Sequence, residues 1–277
     1  MTGPGGAAVV AEDFGVRGPR GWAFRSVGID APPGSLIAVE GPSGSGRSCL
    51  LLALTGRMRA TEGRAEIGGL PLPRKMAAVR QSSALGPVPG VSELDPALTV
   101  DEHLRERALL QRRFDDSLRS LLRPRAGRAA AARARIGAAL EAAGLDPAAL
   151  PAAGRTPVRD LARLDALRLS IALALMGRPR LLAVDDTDLK LPAADRAAAW
   201  ALLRSVADAG TTVLAVCSQA GAAECSTVVR TGVPAHDAPT RPGDTDTDTD
   251  TDTTEDTGSG GDHGEGTPDA HAEAGRA

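Results

Sequence analysis

Short apolar runs separated by turn residues recur along the first 236 residues of the chain. The runs at 36–39 and 181–184 are continuously apolar, which predicts strands buried on both faces. Weaker runs predict further strands at 65–67, 76–79, 212–216 and 227–230. Helical periodicity predicts helices at 48–58, 164–176 and 193–208, and several more between 99 and about 145, broken at Pro124 and Gly127. Strands alternating with helices predict the α/β class, with a mostly parallel sheet covered on both faces.

A helical block interrupts this alternation. Thr99 and Glu102 have the spacing of a capping box, in which each side chain bonds the other residue's backbone N–H at a helix start. We expect residues 95–160 to form a helical subdomain inserted into the α/β body.

Charge divides the chain into two unlike parts. Residues 237–277 contain twelve acidic and two basic residues, whereas residues 1–236 have a net charge of +7. A segment of mostly one charge sign, with no apolar residue larger than alanine or proline, cannot offset the entropy cost of folding. We therefore predict a folded domain over 1–236 and a disordered, acidic Asp/Thr-rich tail over 237–277. Of the 32 basic residues 30 are Arg, a compositional bias that weakens any inference from charge, so no nucleic-acid partner is expected.

Cysteine usage and hydropathy limit the possible environments. The three cysteines, Cys49, Cys217 and Cys225, are an odd number without metal-ligand spacing, which favours neither a disulfide framework nor a zinc site. The first residues lack the features of a signal peptide, and no apolar run reaches the roughly 20 residues that span a bilayer. These observations predict a cytoplasmic protein that reaches a membrane only through a partner.

A glycine-rich segment joins the first apolar strand to the next helix. It fits G-x-x-x-x-G-K-[ST] with Arg in place of Lys. Such a loop directs backbone N–H groups at a phosphate chain, and the helix start adds positive potential. An ordinary Gly-Ser turn is the alternative. The predicted nucleotide-binding residues are Gly41, Pro42, Ser43, Gly44, Ser45, Gly46, Arg47, Ser48 and Cys49, with the Ser48 hydroxyl on Mg²⁺.

The order of the remaining motifs resembles the ATP-binding subunit of ABC transporters over about residues 8–230. The resemblance rests on the phosphate loop and four further fragments: Pro32-Pro33-Gly34, Ala77-Ala78-Val79-Arg80-Gln81, Leu98-Thr99-Val100-Asp101-Glu102-His103-Leu104 and Gly177-Arg178-Pro179-Arg180. It implies a P-loop NTPase fold with antiparallel N-terminal strands, ATP and Mg²⁺ as ligands, a membrane-spanning partner subunit, and a homo- or heterodimer of ATP-binding subunits.

The resemblance also implies site residues. Asp185 would be the Walker B carboxylate that holds the metal, and Gln81 would contact both the metal and the attacking water. Asp186 would take the place of the general base and Ser218 that of a switch histidine. Asp185 and Asp186 could instead form a simple strand-to-helix turn, and Gln81 could be an ordinary residue at a strand end.

Several positions depart from the family pattern. Arg47 replaces the phosphate-loop lysine, Asp186 replaces a glutamate, and Ser218 replaces the histidine. The signature LSGGQ falls on 161–165, where the sequence is Leu-Ala-Arg-Leu-Asp, and no aromatic residue stands near Arg17 and Gly18 to stack on adenine. Trp22 or Phe14 would have to substitute, although both are more typical of a core.

These departures favour a degenerate member that binds Mg-ATP and hydrolyses it slowly or not at all. Two alternatives remain open at this point: an active ABC ATPase, and a soluble interaction module without nucleotide.

Overall fold

The computed structural model describes residues 5–114, 125–187, 191–218 and 225–232. The chain divides into two units, Met1–His236 and Asp237–Ala277, and the second unit, with its predicted disorder, lies outside the described residues. The strands are β1 (Val9–Gly18), β2 (Gly21–Ala31), β3 (Leu36–Glu40), β4 (Glu62–Ile67), β5 (Leu70–Leu72), β6 (Ser83–Leu85), β7 (Leu181–Val184), β8 (Thr212–Cys217) and β9 (Thr227–Arg230). The helices are α1 (Arg47–Leu54), α2 (Met76–Ser82), α3 (Val100–Phe114), α4 (Arg125–Ala142), α5 (Arg163–Leu175) and α6 (Ala193–Asp208), with 3₁₀ turns at Pro147–Ala149, Ala153–Arg155 and Val158–Asp160.

Two sheets organise the body. One is antiparallel with the order β2-β1-β4-β5, and the other has the order β6-β7-β8-β3-β9 with every pair parallel. The predicted α/β class, the parallel sheet and the antiparallel N-terminal strands are therefore confirmed. Because all strands of the second sheet run the same way, their carboxyl ends meet at one edge.

The parallel sheet is the middle layer because its strands are apolar on both faces. In β3, Leu36 and Ala38 pack into one cluster with α5 and α6, whereas Ile37 and Val39 pack into a second cluster with α1 and the antiparallel sheet. All four residues of β7 are fully buried. A strand covered on both sides has no polar face, which explains why these runs were recognisable without alternation.

The predicted strand at 76–79 is wrong. This segment is helix α2, and Val79 is the residue that it buries. Met and Ala are strong helix formers, and a run of four apolar residues does not distinguish a strand from a helix turn. The strand of this region is β6, which follows α2, so Gln81 precedes a strand instead of following one.

The helical block also differs in detail from the expectation. Gly127 lies inside α4 and does not break it, and Pro124 lies outside the described residues. The capping box at the start of α3 is confirmed: Thr99 N donates to Glu102 Oε2 at 2.8 Å, and Glu102 N donates to Thr99 Oγ1 at 3.3 Å. Across the described residues, no helix is both long and apolar enough to cross a bilayer.

Candidate functional site

The phosphate loop leaves β3 and enters α1 through a tight turn. Ser45 N donates to Pro42 O at 3.2 Å, and Leu50 N donates to Gly46 O at 2.8 Å to begin the helix. Gly46 has φ +81°, and a Cβ built there would lie 2.6 Å from the carbonyl carbon of Ala23 and closer still to its oxygen. Only glycine fits between the loop and β2, so the second glycine of the motif fixes where the loop sits.

The loop presents unused donors. Within the described part of the chain, the N–H groups of Ser43, Gly44 and Gly46 meet no protein acceptor. The first N–H groups of α1 lack intrahelical partners by the geometry of a helix start. Ser48 is exposed at this end of the helix, whereas Ser45 is buried. Donors of this kind at a helix N-terminus suit an anionic group such as phosphate.

The Arg47 side chain reaches across the sheet edge. It is half-buried, and its Nη1 donates to the backbone carbonyl of Cys217 at the end of β8. No carboxylate forms an ion pair with Arg47 among the residues that the structure describes. A guanidinium has five N–H donors, so several remain for an anion beside the loop.

Asp185 lies next to the start of α1. It is 3% exposed, its Oδ1 accepts from Asp186 N at 3.0 Å, and its own N donates to Pro87 O at 3.0 Å. Burial raises the pKa of the Cys49 thiol, and the negative charge of Asp185 raises it further. The carboxylate is therefore within electrostatic range of the helix turn that carries Ser48 and Cys49.

The two residues after Asp185 lie against β8. Thr187 donates to Val216 O through both its N, at 3.0 Å, and its Oγ1, at 2.9 Å. Asp186 between them is half-buried with φ +50°. Ser218 is exposed directly after β8. The structure thus brings Asp185, Asp186 and Ser218 to the edge where the phosphate loop lies.

Gln81 is not at this edge, which corrects its expected metal and catalytic roles. Arg180 N donates to Ser82 O at 2.8 Å, so the end of α2 lies where β7 begins. Asp185 follows the other end of β7, about 13 Å away at 3.3 Å per residue, farther than a glutamine side chain reaches. The segment that follows β6 holds Gly86, whose N donates to Ala183 O at 2.7 Å, and Pro87, which bonds Asp185. Neither residue has a side-chain amide.

The segment 161–165 does stand at a helix start, as expected. Helix α5 begins at Arg163, with Ala162 as an N-cap that makes no side-chain bond. Leu164 is buried, and Asp165 pairs with Arg168 at 3.0 Å. Leu164 and Asp165 are thus engaged within their own subunit, in packing and in an ion pair, whereas Ala162 and Arg163 are exposed.

The aromatic side chains near the loop differ in burial. Phe14 is fully buried with its ring centroid 5.9 Å from that of Phe24, so it belongs to the core. Trp22 is half-buried, and the Arg17 guanidinium lies 5.6 Å from its ring centroid. Since Trp22 precedes Ala23, this pair lies on the hairpin that touches Gly46.

Two polar contacts of the loop involve residues that were not among the predicted site residues. Thr231 bonds Ser45, and the Cys217 carbonyl accepts from Arg47. Both residues are at the ends of parallel strands, as are Asp185 and the loop itself. The signal for Thr231 in the sequence is its place directly after the predicted strand 227–230.

Comparison with known proteins agrees with this arrangement. The family model described as ABC transporter matches residues 24–188, more than half of the chain. The Nod factor export ATP-binding protein I of Cupriavidus metallidurans is 30% identical over 188 residues, 67% of this chain and 54% of that protein. The chain therefore spans about half the length of that curated relative.

Solved structures show the same fold. CbiO1 from Clostridium perfringens, part of the ABC transporter complex CbiONQ, has a TM-score of 0.63 at 18% identity and covers 80% of this chain and 83% of its own. The dimeric structure of MJ0796, a bacterial ABC transporter cassette, has a TM-score of 0.63 at 19% identity, and the match covers 81% of this chain and 94% of the MJ0796 chain. With the family model, the relative and the fold in agreement, the chain belongs to the ABC transporter family as an ATP-binding cassette.

Proposed function

We propose that this chain binds Mg-ATP through its variant phosphate loop, hydrolyses it slowly or not at all, and acts with a membrane-spanning transporter subunit. The observation that carries this proposal is the phosphate loop beside Asp185, with Asp186 and Ser218 at the same sheet edge. ABC ATP-binding cassettes bind ATP, normally with Mg²⁺.

The residues of the loop fit a nucleotide's phosphate chain. The unused N–H groups of Ser43, Gly44 and Gly46 supply donors, and Arg47 supplies positive charge from the β8 side. Its planar guanidinium is wider than an ammonium and is already bonded to a carbonyl, so it must reorient to reach a phosphate. This cost predicts weaker binding than a lysine would give.

The donor set also fits magnesium. Within the described ranges, no group of three or more His, Cys, Asp or Glu side chains could hold a metal ion unaided. Mg²⁺ is normally held by one or two oxygen ligands together with substrate phosphates and water. Asp185 and Ser48 offer such oxygens near the same helix turn, so the metal would be bound together with the nucleotide and would neutralise charge on its phosphates.

The hydrolytic step lacks well-placed groups. The Asp186 side chain is one methylene shorter than glutamate, which withdraws its carboxylate by about 1.5 Å, and a general base must lie within hydrogen-bond distance of its proton. A serine hydroxyl such as that of Ser218 neither gains charge nor exchanges protons near neutral pH as imidazole does. Gln81 is too far away to orient water. Loss of general-base catalysis alone lowers rates by about 10²- to 10⁴-fold.

The signature segment adds to this deficit. In the family this segment closes over the nucleotide of the opposite subunit through a serine and two glycines. Here Leu164 is buried in the core and Asp165 is paired with Arg168. In a homodimer both composite sites would carry these replacements, and in a heterodimer the partner could supply a complete segment to only one of them.

One titration tests the proposal. MgATP binding is measured by calorimetry while phosphate release is followed at the same protein concentration. We expect saturable MgATP binding, with phosphate release at or near the rate of ATP hydrolysis in buffer without the protein. Asp185→Asn should weaken binding with Mg²⁺ more than binding without it.

The other outcomes identify the alternatives. Steady phosphate release would show an active ATPase and refute the slow hydrolysis. Absence of binding by a folded protein would indicate an interaction module without nucleotide. Co-purification of the protein with membranes after mild extraction would support the membrane partner, and its absence from the membrane fraction would contradict it.

A further inference from the structure

Two buried hydroxyl groups meet behind the phosphate loop. Ser45 is 1% exposed and comes from the loop, whereas Thr231 is 3% exposed and follows the last strand, β9. Their hydroxyl oxygens are 2.7 Å apart, although the two residues are 186 positions apart in the chain. A buried hydroxyl without a partner is costly, so this pair restrains both segments.

The donors in this pair can be assigned. The Thr231 hydroxyl donates to Glu40 O at 3.1 Å, and Thr231 N donates to the same oxygen at 2.9 Å. A hydroxyl has one proton, so when Thr231 donates to Glu40 O, Ser45 donates to Thr231. The bonds run from the turn of the loop through Thr231 to Glu40, the last residue of β3.

The packing leaves little freedom here. A Cβ built at Gly41 would lie 2.5 Å from Thr231 Oγ1 and 2.6 Å from Ser45 Oγ. The hydroxyl pair therefore fills the space beneath the first glycine of the loop. Ser45 faces inward at this point, while Ser48 is exposed at the start of α1.

We propose that Thr231 is a positioning residue for the phosphate loop, which it holds in its anion-binding shape through Ser45 without touching the nucleotide. The shape of the loop then depends on the end of β9. The restraint on the loop stands by itself, and only the effect on nucleotide affinity rests on the proposed function.

Hydroxyl deletions test this role. Thr231→Val keeps the side-chain shape and removes the hydroxyl, Ser45→Ala removes its partner, and Thr231→Ser keeps the hydroxyl. Thr212→Val is the matched control, because Thr212 is fully buried at the start of β8, where its Oγ1 donates to Ala7 O at 2.7 Å. Thr212 lies at the opposite edge of the parallel sheet from the loop.

Two measurements are made on each variant of the full chain. Hydrogen exchange of residues 41–48 is followed without nucleotide, and MgATP affinity is measured by calorimetry. Thr231→Val and Ser45→Ala should each speed this exchange and weaken MgATP binding by about fivefold to tenfold, the effect of losing a neutral hydrogen bond. Thr231→Ser should restore both values, and the double variant should resemble either single one.

The results separate the two claims. If the original chain binds no MgATP but Thr231→Val still speeds exchange in 41–48, the proposed function fails and the positioning role stands. Unchanged exchange in both Thr231→Val and Ser45→Ala would overturn the positioning role. An equally large rise in the exchange rate of residues 41–48 in Thr212→Val would also overturn it, because it would indicate general destabilisation. Failure of Thr231→Ser to restore the original exchange rate would overturn it as well.

Discussion

A methyl group at Gly46 tests whether the phosphate loop must press against β2. Gly46 has φ +81°, and the Cβ of Gly46→Ala would lie 2.6 Å from the carbonyl carbon of Ala23, where ordinary contact begins at 3.4 Å. The loop or β2 must therefore move by at least 0.8 Å, the difference between these distances. Since β2 is paired with β1 along most of its length, we expect the loop to move.

The magnitude has two parts. An alanine in the left-handed region costs about 1–2 kcal/mol relative to glycine. Displacement of the loop also misaligns N–H groups that would bond phosphate, and losing one charge-assisted hydrogen bond costs about 1.5–3 kcal/mol. We expect Gly46→Ala to lower MgATP affinity by about tenfold to a hundredfold.

Two other glycines provide controls. Gly44, in the same loop, has φ +81°, and Gly69, in the turn between β4 and β5, has φ +84°; a Cβ at either would meet nothing within 4 Å. Gly69→Ala should lose stability in urea unfolding by about 1–2 kcal/mol and keep its MgATP affinity. Gly44→Ala reports the backbone strain in the loop without the clash. Equal affinities for Gly46→Ala and Gly44→Ala would refute the idea that contact with β2 sets the loop position.

Three further variants address other parts of the site and fold. Arg47→Lys should raise MgATP affinity by up to about tenfold in calorimetry, because an ammonium is smaller and releases the bond to the β8 carbonyl; a loss of affinity would show that the guanidinium itself holds the phosphates. Burial and the negative charge of Asp185 both raise the pKa of Cys49. Asp185→Asn removes this charge, so the pKa of Cys49 should fall and its alkylation at pH 8, followed by peptide mass spectrometry, should be faster. Thr99→Ala should lower the free energy of unfolding by about 1 kcal/mol in urea. The backbone N–H of Thr99, and then its hydroxyl, lower the pKa of the Glu102 carboxyl. The stability that these bonds give is present above the unfolded pKa of this carboxyl and is lost as the pH falls through its folded pKa. Because Thr99→Ala removes the hydroxyl bond, the loss of stability at acid pH should be smaller in this variant.

The buried strands and the loop between them were predictable because their physical requirements are local. A strand covered on both faces needs a run such as that of β7, and a loop that crosses β2 at Gly46 needs a residue without a Cβ. Helix α6 and strand β9 have the predicted bounds, 193–208 and 227–230. Pro192 and Gly210 flank the helix and Gly232 follows the strand, so residues that disfavour regular structure mark these ends in the sequence.

The position of Gln81 was not predictable in this way. The run at 76–79 suits either a helix turn or a strand, and tertiary packing decides between them. Strand β6 has three residues, of which only Leu85 is a large apolar residue, so its pattern is too short to recognise. Contacts such as Ser45 with Thr231 depend on strand order, which periodicity does not report.

The backbone at Asp186 links the chemistry of this position to its conformation. Its φ of +50° is left-handed, a region that Asp adopts more readily than Glu because its short side chain can bond nearby backbone. Asp186→Glu would extend the carboxylate by about 1.5 Å, but it would place a longer side chain on a strained backbone. Ser218 and the 161–165 segment would still lack the groups that act with it, and residues that act as a unit do not recover activity one at a time. The slow hydrolysis that we propose would therefore arise from several residues of the sheet edge together with the 161–165 segment, and we expect no single reversion to restore rapid hydrolysis.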